Sequence, residues 1–131
     1  MLPQIGLVPL GPDHHSGLWE FAHLMSGTEP ERDTNQELVL TEAMGLVFVL
    51  VPGTFDPRLG IPEGQFEGAK LSPFFLSKYE MTQGQWLRLT GENPSAYGPD
   101  AEWQDHWLSP AGPSSRLHPV EQVSWSDCNT W

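Results

Sequence analysis

The sequence predicts one small, loop-rich domain in which short strands are combined with two short helices. The chain has 131 residues, of which 38% are hydrophobic, and this suits a single domain. It contains 13 Gly and 13 Pro, together about one residue in five, against roughly 12% in average usage. Because proline breaks helices and is confined to strand edges, long regular elements are not expected. An all-helical bundle is excluded.

Three segments have the composition and alternation of strands. Residues 1–17 are interrupted by Gly and Pro and allow only a short extended piece. Residues 18–24 then place Trp19, Phe21 and His23 on one face by alternation. Residues 44–51 form the strongest strand, and their uninterrupted apolar, β-branched character predicts burial on both faces. The third predicted strand is 74–79, and the polar segment 25–37 is predicted to be a loop or a wide connection.

Two N-terminal caps predict the helices. Thr82 and Gln85 have the spacing of a capping box, in which each side chain satisfies a free backbone N–H of the first turn. Gly91 can end that helix in a left-handed turn. Ser124 followed by Asp127 predicts the start of a second helix. The predicted buried side of the first helix consists of Trp86, Leu87 and Leu89.

The C-terminal part is predicted to be a long loop, a short strand and a helix that stops early. The loop, residues 91–113, carries Tyr97, Trp103 and Trp107, which we expect to pin it to the core. Residues 118–123 are predicted to form the strand. The second helix has apolar residues at helical spacing, namely Trp125, Cys128 and Trp131. A helix of fewer than two turns is unstable alone, so we expect a truncated domain.

The charge balance excludes several classes of partner. With 6 basic and 17 acidic residues, the net charge is −11, and the basic residues are scattered singly. Nucleic acid and anionic membranes select clustered Lys and Arg, so neither is an expected partner. The longest strictly apolar run, residues 46–51, is far shorter than the ~20 residues of a membrane span. The N-terminus lacks the pattern of a signal peptide, and a single cysteine, Cys128, fits a reducing compartment. Cytoplasmic is the expected location.

The histidines do not have the spacing of a metal site. His14 and His15 are adjacent, which points side chains apart in most conformations. His23, His106 and His118 are far apart in sequence and lack H-x-H or H-x-x-x-H spacing. Ordinary surface or hydrogen-bonded histidines are therefore favoured over a metal site, and no metal-ligating residue is predicted.

No catalytic constellation can be assembled from the remaining residues. Cys128 lies at a helix start, which can lower a thiol pKa, but its position between tryptophans favours a buried structural role over that of a nucleophile. The acidic residues Glu29, Glu31, Asp33 and Glu37 are interpreted as a solvated loop, not a catalytic pair. The tryptophans and tyrosines are better explained by core packing than by ligand stacking, and no phosphate-binding glycine loop is present.

Three segments, taken in order, resemble the formylglycine-generating enzyme family, also called sulfatase-modifying factors. Residues 45–55 (GLVFVLVPGTF) are similar to the family's G-M-x-F-V-x-I-P-x-G-x-F strand. Residues 75–86 (FLSKYEMTQGQW) are similar to its F-x-I-x-K-Y-E-V-T-x-x-Q-W strand-to-helix turn. Residues 118–128 (HPVEQVSWSDC) are similar to its H-P-V-x-x-V-S-W-x-D-A start of a second helix. Each motif alone is weak, and their order and spacing make the resemblance specific.

The resemblance implies an irregular α+β fold similar to C-type lectin-like domains. Residues 41–131 would be the N-terminal part of that domain, and residues 1–40 resemble the leader that precedes it in some bacterial members. Complete members oxidise a cysteine of a sulfatase-like protein to formylglycine with molecular oxygen and copper. Some relatives use iron in sulfoxide synthesis, and others are ligand-binding or regulatory domains beside bacterial protein kinases.

The chain departs from the family pattern where the chemistry lies. Residues 56–60 and 68–71 differ from the family's usual sequence, which affects local strand pairing. The family's catalytic, copper-binding cysteine pair lies in a C-terminal half that this chain does not include, and Cys128 occupies the position of a small core residue. The sequence therefore predicts no catalytic, cofactor-binding or metal-binding residue. It predicts a fragment that is not catalytic alone and needs a C-terminal half; the alternative is a non-catalytic ligand-binding or regulatory module.

Overall fold

A computed structural model describes residues 6–53, 72–99 and 115–129 of the chain. Four strands form one antiparallel sheet in the order β1-β2-β3-β4. The elements are β1 (Leu7–Pro12), β2 (Trp19–His23), a 3₁₀ turn (Leu24–Ser26), β3 (Leu46–Val51), β4 (Phe74–Ser77), α1 (Gln83–Thr90) and α2 (Trp125–Cys128). Sheet and short helices together confirm a loop-rich α+β architecture. Within the described ranges, no helix has the length and apolar character to cross a membrane.

The register of the sheet separates two kinds of side chain. Ala22 is paired with Val47 across β2 and β3, and Val47 packs with Leu38 and Met44 in the buried cluster, against partly buried Leu10 and Tyr79. The strand positions between these residues carry aromatic rings. The ring centroids of Phe21 and Phe75 are 5.2 Å apart in an edge-to-face contact, and Phe48 and His23 extend the same group. Edge-to-face contacts of this kind stabilise beyond the area they bury.

The strand predictions are largely confirmed. Residues 18–24 contain β2 and residues 74–79 contain β4. The predicted strand 44–51 is β3, but burial on both faces holds only for its first two residues, Leu46 and Val47. The rest of β3 is half-buried because the β4 residues beside it, Phe74 to Leu76, are themselves exposed in this part of the sheet.

The local signals of α1 are confirmed in detail. Thr82 accepts a hydrogen bond from the Gln85 backbone N–H while the Gln85 side chain accepts one from the Thr82 N–H. Gly91 lies in the left-handed region at φ 86° and donates its N–H to the Leu87 carbonyl. Trp86 is buried, but Leu87 and Leu89 are only half-buried. The most deeply buried residue of the helix is instead the polar Gln83.

The C-terminal segment differs from its prediction at two points. Ser124 and Asp127 do form the capping box that starts α2, but residues 118–123 are not a strand. They contain a single bridge, between Thr82 and Pro119, because Pro119 has no N–H to donate and Gln122 takes a positive φ of 62° that ends the extended path.

The loop after α1 is held by its backbone and not by its tyrosine. Tyr97 is 55% exposed, which contradicts the expected pinning by this residue. The Tyr97 N–H donates to Glu121, and its carbonyl accepts from Gln83. Trp103, Trp107 and Trp131, as well as the predicted departures at 56–60 and 68–71, lie outside the described residues.

Substitution of Thr82 by Ala should lower the free energy of unfolding by about 1 kcal/mol, because it leaves a first-turn N–H of α1 without its acceptor. Thr82→Ser keeps the hydroxyl and is the matched control, for which we expect nearly unchanged stability. Urea unfolding followed by tryptophan fluorescence measures both. Equal losses in the two variants would show that the methyl group, and not the cap, is responsible.

Candidate functional site

A fully buried carboxylate lies in the middle of the sheet. Glu20 on β2 has no exposed surface. One of its carboxylate oxygens accepts a hydrogen bond from the Lys78 ammonium, which follows β4, and the other accepts one from the Arg32 guanidinium at 2.6 Å. Desolvating a charged group costs several kcal/mol unless it is paired and hydrogen-bonded. Both oxygens of Glu20 therefore have a cationic donor.

Asp13 joins this network at the turn between β1 and β2. Its second carboxylate oxygen accepts from the backbone N–H and the hydroxyl of Ser16, both at 2.8 Å, and its first accepts from Lys78 at 3.1 Å. The hydrogen bonds from Ser16, followed by that from Lys78, hold the pKa of the Asp13 carboxyl well below its ordinary value. Burial disfavours the charged form of Lys78, but the hydrogen bonds to Glu20 and Asp13 outweigh it and raise the pKa of this ammonium.

Arg32 carries the network to a second turn, residues 33–37. Its guanidinium also donates to the Gln36 carbonyl at 2.7 Å. Inside the turn, one oxygen of Asp33 accepts from the backbone N–H groups of Asn35 and Glu37, and the Asp33 N–H donates to the Glu37 carbonyl. Glu20 thus fixes two turns that are about twenty residues apart in sequence, one through Lys78 and the other through Arg32.

The two turns bring His14, His15 and Glu37 together. The imidazole rings of His14 and His15 have centroids 3.7 Å apart, so the expectation that adjacent histidines point apart is wrong. The tight turn after Asp13, closed by a hydrogen bond from the Gly17 N–H to the Asp13 carbonyl, places both rings on one side. His15 Nε2 lies 2.8 Å from Glu37 Oε1, and His14 Nε2 lies 3.7 Å from the same oxygen.

A second polar junction joins the start of α1 to residues 116–120. The backbone N–H groups of Gln83 and Gly84 donate to the carbonyls of His118 and Arg116, and the Val120 N–H donates to the Met81 carbonyl. The fully buried Gln83 side chain donates to the Tyr97 carbonyl and accepts from Asn93. The same helix is tied to residues 26–44 by Arg88, whose guanidinium donates to the carbonyls of Ser26, Glu42 and Met44.

Cys128 does not have the buried position that its sequence context predicts. It is exposed, and α2 has no buried residue; Trp125 is 79% exposed. The reason is the short length of α2, which leaves its apolar side uncovered by the described residues. The geometry therefore gives Cys128 no structural role in the core, and the structure shows no hydrogen-bonded base beside it among the described residues.

Sequence reasoning did not single out Glu20, Lys78 or Arg32. Two signals were present: an acidic residue, Glu20, inside the apolar segment 18–24, and the one basic residue in the strand-like segment 74–79. A charge inside an otherwise apolar strand needs a partner when buried. Spacing alone could not identify that partner, since Glu20 and Lys78 are separated by 58 positions.

Glu20→Gln should lower the free energy of unfolding by about 2–3 kcal/mol. This is below the ~3–5 kcal/mol of a broken, fully buried pair, because water reaches the freed Lys78 and Arg32, which are 20% and 18% exposed. Glu31→Gln removes the same charge from an exposed residue and should change stability by less than about 0.5 kcal/mol. Urea unfolding at neutral pH compares them, and equal effects would contradict a stabilising role for the network.

Comparison with known proteins finds one similar segment. Over 57 residues, which is 44% of this chain, the sequence is 35% identical to "Chaperone protein LppX" of Paenibacillus barcinonensis. The match spans 15% of the length of that protein. No family model matches the chain, and no solved structure matches it.

Proposed function

We propose that this chain forms the N-terminal part of a domain similar to the formylglycine-generating enzymes, and that this part is scaffold without catalytic residues. The observation that supports this most is that contacts join the three resembling segments in order, the first to the second by the β3–β4 pairing and the second to the third by the bridge from Thr82 to Pro119. Residues 45–55 contain β3, residues 75–86 contain most of β4 and the first turn of α1, and residues 118–128 contain Pro119, which bridges to Thr82.

These contacts give the motif residues physical roles. The β3–β4 pairing joins the first segment to the second, with Phe48 opposite Ser77 and Val49 opposite Leu76. The lysine of the second motif, Lys78, pairs with the buried Glu20, and its glutamine, Gln85, both caps α1 and donates to the Met44 carbonyl. Motif residues that hold a shared scaffold are expected wherever the fold recurs, whatever its activity.

The donor set does not fit the copper of complete family members. Their copper is held by a cysteine pair, whereas this chain has one cysteine, Cys128, exposed on α2. No step of cysteine oxidation can be assigned to these residues. A sulfatase-like substrate and a cytoplasmic location are part of the proposal only through the resemblance and the low cysteine content.

The purified chain, supplied with copper and oxygen, should leave a sulfatase-type cysteine peptide unoxidised, because it lacks the cysteine pair. Aldehyde-specific labelling of the peptide measures the product, and a complete formylglycine-generating enzyme under the same conditions is the positive control. Labelling above a no-protein sample that disappears in Cys128→Ser would contradict the proposal and make Cys128 catalytic.

A second candidate is a protein-binding module, and two observations favour it. The similar segment occurs in a protein named as a chaperone. In addition, large apolar side chains are exposed on β4 and α2, with Leu76 57% and Trp125 79% exposed. Exposed apolar patches often mark surfaces that bind other proteins. On this hypothesis the sheet and its ion pairs form the support, and the exposed apolar residues of β4 and α2 bind unfolded chains.

If the chain binds unfolded proteins, it should slow the light scattering of a heat-denatured client enzyme at stoichiometric amounts. Leu76→Ser and Trp125→Ser should each reduce that protection by removing apolar contact area. Met25→Ser is the matched control, since Met25 is 72% exposed on the 3₁₀ turn. Protection that is absent, or lost equally in the control, would exclude this candidate.

A further inference from the structure

We propose that His14, His15 and Glu37 form a binding site for a divalent transition-metal ion of the zinc type. Their potential ligand atoms all lie within 4.8 Å of one another. The proposal is independent of the function proposed above, because none of the three residues lies in the segments 45–55, 75–86 and 118–128 that resemble the formylglycine-generating domain.

The distances are close to those that a tetrahedral ion requires. With zinc–ligand bonds of about 2.0–2.1 Å, two tetrahedral ligand atoms lie about 3.3 Å apart. His14 Nε2 is 3.7 Å from Glu37 Oε1, and His15 Nε2 is 2.8 Å from it. An ion would replace the hydrogen bond between His15 and Glu37. Each histidine–glutamate distance would change by about half an ångström and the distance between the two imidazoles, which is within 4.8 Å, by at most about 1.5 Å, and rotation of the side chains can supply these movements.

The chemistry of the donors selects the class of ion. Two imidazole nitrogens and one carboxylate oxygen are the ligands that zinc and its neighbours in the transition series prefer, whereas calcium and magnesium favour oxygen alone. Three protein ligands leave a coordination position open to water. The side chains are 39%, 71% and 47% exposed for His14, His15 and Glu37, so an ion can reach them, and the net charge of −11 raises the local concentration of cations.

The backbone under the ligands is fixed from both sides. The turn that carries the histidines is held by Asp13, which accepts from Ser16 and Lys78. The turn that carries Glu37 is held by Asp33 and by the Arg32 hydrogen bond to Gln36. Metal affinity depends on such supporting interactions, because they reduce the entropy lost when the ligands converge. An ion here would cross-link the two turns above the Glu20 network.

The test is a calorimetric titration of zinc sulfate into the chelator-treated full chain. It is done on the Cys128→Ser protein, so that the exposed thiol cannot contribute. We expect one ion per chain. His15→Ala and Glu37→Gln should each weaken binding about tenfold or more, and zinc should raise the melting temperature of the Cys128→Ser parent but not of these two variants.

Matched controls separate the site from nonspecific binding. Glu31→Gln removes one negative charge as Glu37→Gln does, and His118→Ala removes one imidazole from a residue outside the cluster; both should keep the parent affinity. Magnesium should not compete with zinc. Absence of zinc binding by the Cys128→Ser parent, or equal weakening in variants and controls, would overturn the proposal. Circular dichroism of each metal-free variant confirms that it is folded before it is titrated.

Discussion

The fold depends on the requirement that Glu20 be neutralised inside the sheet. A carboxylate with no exposed surface is stable only when charged donors replace the water it has lost. Lys78 and Arg32 do so from two separate segments, one just after β4 and the other in the connection between β2 and β3. The ends of the sheet and the long connection are therefore fixed by the same buried charge.

A second group of stabilising contacts consists of hydrogen bonds from polar side chains to the backbone of the loops. Segments outside regular elements leave backbone N–H and C=O groups that must find partners. Gln83, Gln85 and Arg88 on α1 supply them, since each donates to carbonyls of distant segments. Such contacts orient the segments more specifically than apolar burial does, because a hydrogen bond requires direction as well as proximity.

How well a contact could be predicted from the sequence depends on how many positions separate its two residues. The caps at Thr82 and Ser124 join residues three positions apart, and both were predictable from the residue types. The contacts of Glu20 with Arg32 and Lys78, and the contact of His14 with Glu37, join residues separated by 12 to 58 positions, which no local pattern encodes. The prediction that Cys128 is buried was wrong for another reason. The apolar spacing of its helix predicts a buried face, but burial also needs a partner surface, and α2 has none among the described residues.

The buried network also determines the charge of the surface. Asp13 and Glu20 are balanced by Lys78 and Arg32, so this group is neutral and the whole net charge of −11 belongs to the rest of the chain. Two of the six basic residues are used in the network, and the guanidinium of a third, Arg88, is directed at backbone carbonyls. At least three of the basic residues that the structure describes therefore serve the architecture of the protein. The surface that remains is strongly negative, which repels polyanions, attracts cations and gives the cluster of two imidazoles and a carboxylate an electrostatic setting that favours a metal ion.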